Sequence, residues 1–150
     1  MAIPQLDNHG LLPVGAHPCT LQEIQADFCW NAHRQNLFER LELFLDQRWK
    51  PLNVNGDLWI NGSFTRRKDN PKDIDVVADV SHLTPQEFMP VLLVHLTNDV
   101  NQHNYNVDFW VKHALFPHDL TQFFQYTGLK AAAELRLDVK RPKGILKVSL

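Results

Sequence analysis

LWINGSFTRRKDNPKDIDVVADV, residues 58–80, contains the pattern on which the rest of the chain turns. Leu58, Trp59 and Ile60 form a short apolar run that ends in the turn pair Gly62-Ser63. A charged loop follows, punctuated by Asp69, Asn70 and Pro71, and residues Asp73 to Val80 then read as a second strand. Successive side chains of a strand point to opposite faces. Asp73 and Asp75 therefore share one face while Ile74 and Val76 share the other. Two carboxylates on one side of an otherwise apolar strand need a chemical reason.

Working outward, Thr84-Pro85-Gln86-Glu87 is a helix start, with proline at the first helical position and Glu87 completing a capping box. Its apolar positions, Phe88, Leu92, Leu93 and Leu96, carry the helix to about Asn98. Tyr105 to Val111 reads as a third strand, interrupted by Asp108. Upstream, residues 1–19 are rich in proline and glycine and are expected as an extended arm, packed on the body through Leu11, Leu12 and Val14. Residues 20–50 form a helical segment opened by the Thr20/Glu23 capping box. It is one helix or two broken near Asn31, and it ends before Pro51. Residues 58–111 hold the sheet motifs. Residues 112–150 supply a short helix over His118–Tyr126 and a closing strand over Ile145–Leu150. This order predicts a single α+β (or α/β) domain over 1–150, with a small mixed sheet flanked by helices.

The 150 residues suffice for one domain with a real core. A net charge of −2 argues against a protein that coats nucleic acid, though it allows a local basic patch. No apolar run approaches the ~20 residues of a membrane span, and the first residues lack a secretory pattern. Cys19 and Cys29 require no disulfide, so the cytosol is the expected compartment. The eight histidines have no zinc-site spacing. Trp30, Trp49, Trp59 and Trp110 are expected as core or partly buried packing.

If the strands holding Asp73, Asp75 and Asp108 are neighbours, three acids converge. Unpaired, they would repel one another and lose hydration. Mg²⁺ or Mn²⁺ reverses that balance, because such ions take hard oxygen ligands together with substrate phosphates. Two ions can stabilise the attacking and leaving oxygens of a nucleotidyl transfer. Gly62 removes a Cβ that would keep a phosphate from the backbone, and Ser63 offers a hydroxyl to the same anion.

Gly62-Ser63, nine intervening residues, Asp73-Ile74-Asp75-Val76 and a later Asp108 together resemble the DNA polymerase β-like nucleotidyltransferase superfamily. The resemblance implies that Asp73 and Asp75 ligate both metals. It implies that Asp108 completes one metal site and helps position or activate the attacking hydroxyl. Gly62 and Ser63 would hold the triphosphate of an NTP. The implied reaction moves a nucleoside monophosphate to a hydroxyl of a protein, an RNA or tRNA end, or a small molecule, with release of pyrophosphate. Short members of that superfamily act in toxin–antitoxin and phage-defence modules, so a cognate toxin or antitoxin is an implied partner. Minimal members carry a Gly-Ser-x-Ala-Arg-Gly turn. Here the turn is Gly62-Ser63-Phe64-Thr65-Arg66-Arg67, with no second glycine and with Arg66 near the basic position, where it is expected to bind the nucleotide by neutralising charge on the triphosphate. The arm HGLLPVGAH and the ending PKGILKVSL also resemble an uncharacterised group of short proteins of this fold, which implies that the domain is complete.

Plainer readings exist for each motif. Asp73 and Asp75 could be a turn cap and a surface acid on an edge strand, and Gly62-Ser63 an ordinary turn. Arg66, Arg67, Lys68 and Lys72, like Lys140, Arg141 and Lys143, would usually be a solvated face. Two competing functions follow: an inactive module of the same fold that serves as an antitoxin or scaffold, and a nucleic-acid binder without chemistry.

Overall fold

The computed structural model describes residues 2–150; Met1, the first residue of the expected arm, lies outside them. Among the described residues the strands are β1 (Gly15–Cys19), β2 (Asp57–Asn61), β3 (Ile74–Asp79), β4 (Val107–Lys112) and β5 (Gly144–Val148). They form one mixed sheet in the order β1-β5-β2-β3-β4. β2 is antiparallel to both β3 and β5, whereas β1–β5 and β3–β4 are parallel. The α+β expectation is met.

Strand alternation divides the sheet into two unlike faces. One carries Leu58, Ile60, Ile74, Val76, Ala78, Val107, Phe109, Val111, Leu146 and Val148, all buried. Onto it pack α1 (Leu21–Phe28), α2 (Ala32–Phe44) and α3 (Pro85–Leu96) through Ile24, Phe28, Leu41, Phe44, Phe88 and Val91. Phe109 is the hub of this layer, with the rings of Phe44 and Trp49 5.4 and 6.1 Å away. The opposite face carries Trp59, Asp75, Asp79, Asp108, Trp110, Lys112 and Lys147, which stay half-buried.

The helix starts follow their caps. Thr20 and Thr84 each make a complete capping box, with Glu23 and Glu87. Asn31 caps α2, so the helical segment does break there. Its end differs from expectation: a π-turn over Leu45–Trp49 leads into a 3₁₀ turn, Lys50–Leu52, that includes Pro51. A proline near the start of such a turn costs nothing, because the N–H it lacks has no intrahelical partner there.

Four other expectations need correction. The arm is not merely extended. Leu11 and Leu12 are buried, but Val14 is 68% exposed, and residues 15–19 form the edge strand β1. α3 stops at Leu96. Residues expected as linker and strand start form α4 (Asn98–Tyr105), which Asn106 ends in the left-handed conformation at φ 51°, so β4 begins only at Val107. The expected helix at His118–Tyr126 shrinks to α5 (Leu120–Phe123), and a further helix, α6 (Leu129–Leu135), follows. Trp30 is 42% exposed rather than packed inside.

One buried cation ties the helical layer to the loop after Gly62-Ser63. Arg34 of α2 is fully buried, its guanidinium 3.8 Å from the Trp30 ring centroid and 4.6 Å from that of Phe64. It donates to the carbonyls of Phe28, Lys68 and Phe64. Burial pushes its pKa down to about 10, which leaves it charged at neutral pH. Replacing Arg34 by Leu strips three carbonyls of a charged donor and is expected to cost roughly 3 kcal/mol or more. Urea denaturation measures this, and a loss under ~1 kcal/mol would show that the clamp contributes little.

Candidate metal centre and phosphate cleft

β3 and β4 lie parallel with Asp75 directly opposite Asp108, so both side chains rise from the same face. Asp73, one residue before β3, shares that face. Oxygen atoms of Asp73, Asp75 and Asp108 all lie within 4.8 Å of one another, and all three residues are half-buried. The sequence-based convergence is met. Desolvation, reinforced by the charges of Asp73 and Asp108 and by a hydrogen bond between the Asp75 and Asp108 carboxyls, raises the Asp75 pKa well above the ordinary carboxylate range. Asp73 is raised as well, first by burial and then by Asp108.

Asp108 is held from the helical layer. Asn98, the first residue of α4, donates from Nδ2 to Asp108 Oδ1 at 2.7 Å, while its Oδ1 accepts from the Phe109 N–H at 2.8 Å. Asn101 Nδ2 supports that Oδ1 at 3.2 Å, and Arg48 Nε in turn donates to Asn101 Oδ1 at 3.2 Å. His95 Nδ1 donates to the Phe109 carbonyl at 2.7 Å. The outer edge of β4 is thereby capped by side chains, which blocks another strand from pairing there. Nothing in the polar run NDVNQHNY marks Asn98 as an orienting residue. Only the placement of α4 against β4 does.

The Gly62-Ser63 turn sits across from the acids as a 3₁₀ turn, Gly62–Thr65, braced by a hydrogen bond from Thr65 Oγ1 to the Gly62 carbonyl. Gly62 has φ +78°, and a Cβ there would lie 1.7 Å from Asp75 Oδ2. In this structure its missing side chain first of all admits the Asp75 carboxylate. Asn61, opposite Asp75 on β2, is fully buried, and its Oδ1 has no hydrogen-bond partner among the described residues.

Of these residues, Gly62, Ser63, Asp73 and Asp75 line the floor of a cleft of about 930 Å³, which Asp108 adjoins through the other two acids. Gly62, Ser63, Asp73 and Asp75 lie on one side, and the segment holding α5 and α6 forms the other. That second wall is apolar, and Phe123, Tyr126, Leu129 and Val139 keep much of their surface exposed along it. Arg66 lines the cleft too. It is 6% exposed and ion-paired with Glu134 of α6, whose other oxygen is 3.2 Å from Lys68 Nζ. Lys140 is exposed, as expected of the second basic cluster, but Lys143 is not: it is 7% exposed and lines the cleft. Burial pushes its pKa down to about 8, against an opposing pull from Asp75, and Arg66 lowers it further.

The model of DUF6932, a family of unknown function, matches residues 4–149. The chain belongs to the DUF6932 family. That span takes in all five strands and each of Gly62, Ser63, Asp73, Asp75, Asp108 and Lys143, so the cleft is built wholly from the DUF6932 region. No curated protein and no solved structure matches the chain. Among the described residues of this DUF6932 chain, no helix is long and apolar enough to cross a membrane.

Two outcomes follow from the geometry. Gly62→Ala is expected to destabilise by about 2 kcal/mol or more, since it adds a Cβ at positive φ against Asp75. In the Asp75→Ala background, where the nearest clashing atoms are gone, the same change should cost less. Equal costs in a double-mutant cycle would show that Asp75 is not the obstacle.

The second outcome concerns pH. Asp75 has a raised folded-state pKa, so its favourable contribution is fully present below the unfolded carboxylate value of about 3.9. It is lost as pH rises through the folded value. In EDTA near neutral pH, Asp75→Asn should therefore raise Tm by about 2–4 °C, and the gain should vanish on acidification. Mn²⁺ should raise the Tm of the parent but not of the variant. A variant melting at or below the parent at neutral pH would contradict this charge balance.

Proposed function

We propose that this protein is a Mg²⁺-dependent nucleotidyltransferase, acting in the cytosol, that transfers a nucleoside monophosphate from an NTP to a hydroxyl acceptor and releases pyrophosphate. The observation that carries the reading is the meeting of Asp73, Asp75 and Asp108 oxygens within 4.8 Å, the first two acids lining a large cleft beside Gly62-Ser63.

The donor set fits a hard divalent cation. Three carboxylates supply oxygens alone, and Asn98 fixes the rotation of Asp108. The unpaired Asn61 Oδ1 opposite Asp75 suits an acceptor for water around such an ion. When bound, the ion would neutralise the acids and stabilise charge on the transferring phosphoryl group. Among the chain's own residues, Gly62 and Ser63 would take the triphosphate, with Arg66 on the same wall. The apolar surface of Phe123, Tyr126, Leu129 and Val139 suits a nucleobase. Asp108 would orient the acceptor hydroxyl and receive its proton as oxygen bonds to the α-phosphorus. The bond from that phosphorus to the bridging oxygen breaks, and pyrophosphate leaves with the electron pair.

Incubation with Mg²⁺, α-labelled NTPs and cell extract tests this directly. Label transfer with stoichiometric pyrophosphate is expected, reduced below detection in Asp75→Ala. In Asn98→Ala, where Asp108 loses its orienting donor, the rate should fall about 10–100-fold. Absence of both transfer and pyrophosphate with all four NTPs would remove the enzymatic reading and leave the module that binds without turnover.

A further inference from the structure

The cations around the cleft are not equivalent. Arg66 is neutralised by Glu134, which also holds Lys68. Lys147, farther along the same sheet face, lies 3.3 Å from Asp57. Lys72, Lys130 and Lys140 are exposed and hydrated. Lys143 differs from all of them: it is buried, it lines the cleft, and among the described residues no hydrogen bond or ion pair reaches its ammonium. The charged groups that influence it are Asp75 and Arg66, of opposite sign.

A lysine that is mostly buried along a cleft, with no partner for its ammonium, carries a desolvation cost that folding alone does not require, because an apolar chain of the same length would fill the space. Its placement follows from the backbone. The Lys143 N–H donates to the Gln125 carbonyl at 2.8 Å, and Thr127 and Gly128 N–H groups pair with Arg141 and Val139 carbonyls. This ladder between 125–128 and 139–143 brings the residue down over the cleft. β5 runs antiparallel to β2, with Leu146 opposite Ile60. Lys143, one residue before β5, therefore enters at the end of the sheet where β2 gives way to the Gly62-Ser63 turn, and both line the cleft.

We propose that Lys143, together with the Gly62-Ser63 turn, forms the subsite for the leaving end of a polyphosphate: the β- and γ-phosphoryl oxygens of a nucleoside triphosphate, and pyrophosphate after transfer. The assignment rests on the nucleotidyl-transfer reading for the identity of the nucleotide, whereas binding of pyrophosphate itself needs no turnover. A phosphoryl oxygen supplies the acceptor that the ammonium lacks. Arg66, though nearer the basic position expected of the turn, already has its carboxylate and acts instead by fastening α6 to the loop. Lys143 is thus a binding residue that sets affinity for the anion, while the acids remain the metal ligands.

Titration calorimetry of the full chain with pyrophosphate in Mg²⁺, without NTP, measures the subsite. Lys143→Met is expected to weaken pyrophosphate binding about tenfold or more. Its Tm should equal or exceed that of the parent, since the change removes an unpaired buried charge. Lys143→Arg, which keeps the charge, should retain part of the affinity. Mn²⁺ binding, followed by electron paramagnetic resonance, should be retained or tightened in Lys143→Met, which removes a positive charge that acts on Asp75. Equal pyrophosphate affinity in Lys143→Met and parent, or no binding by the parent, would overturn the assignment. A fall in Tm of both variants alongside the lost affinity would overturn it as well, by marking the lysine as structural. Failure of the transferase reading looks different: pyrophosphate binding would still depend on Lys143 while no NTP delivers label.

Discussion

The parallel pairing of β3 with β4 is the constraint from which the site descends. It sets Asp75 and Asp108 side by side at the strand ends, where a sheet of apolar residues gives way to solvent. Parallel neighbours require a crossover, and α3 and α4 provide it. The same crossover delivers Asn98 to Asp108, and its Asn101 takes up the link from Arg48. The connection that makes the pairing possible therefore also orients the Asp108 carboxylate. Electrostatic repulsion among the acids opposes this arrangement, and the aromatic packing around Phe109 on the reverse face holds the two strands together against it.

The two sheet faces divide the labour. The helical face supplies the stability, with its side chains interdigitated and dry. The other face is left half-open, so that charged groups keep partial contact with water, and only one end of it is roofed by α5 and α6. A site of this kind holds several like charges close together because the energy that keeps the fold intact comes from elsewhere in the molecule.

Much of this was legible in residues 58–111. Two-residue alternation is a robust signal, and it placed Asp73, Asp75 and Asp108 on one face before any coordinates. The capping boxes at Thr20 and Thr84 were equally clear, because a cap depends on residues only three positions apart. What escaped depends on distant partners. β1 contains a proline and alternates weakly, and it becomes a strand only because β5 lies beside it. α4 has little apolar periodicity, so Asn98 looked like the end of α3. Arg34 carries no local mark of burial, since two of its three acceptors lie 30 and 34 residues away. Lys143 follows Lys140, Arg141 and Pro142 and reads as surface, until the ladder with residues 125–128 folds it inward. Gly62 lies in a turn beside the acids, and the constraint the structure gives it is the Asp75 carboxylate.

The order of strands along the chain has a bearing on biosynthesis. β5 is the last strand of this sequence, yet it lies inside the sheet, between the first strand and the second. A ribosome-bound chain that has emerged only through residue 142 has no neighbour to offer β1. The cleft then also lacks Lys143. Closure of the sheet and arrival of Lys143 at the cleft are thereby one event, which must follow synthesis of the other four strands.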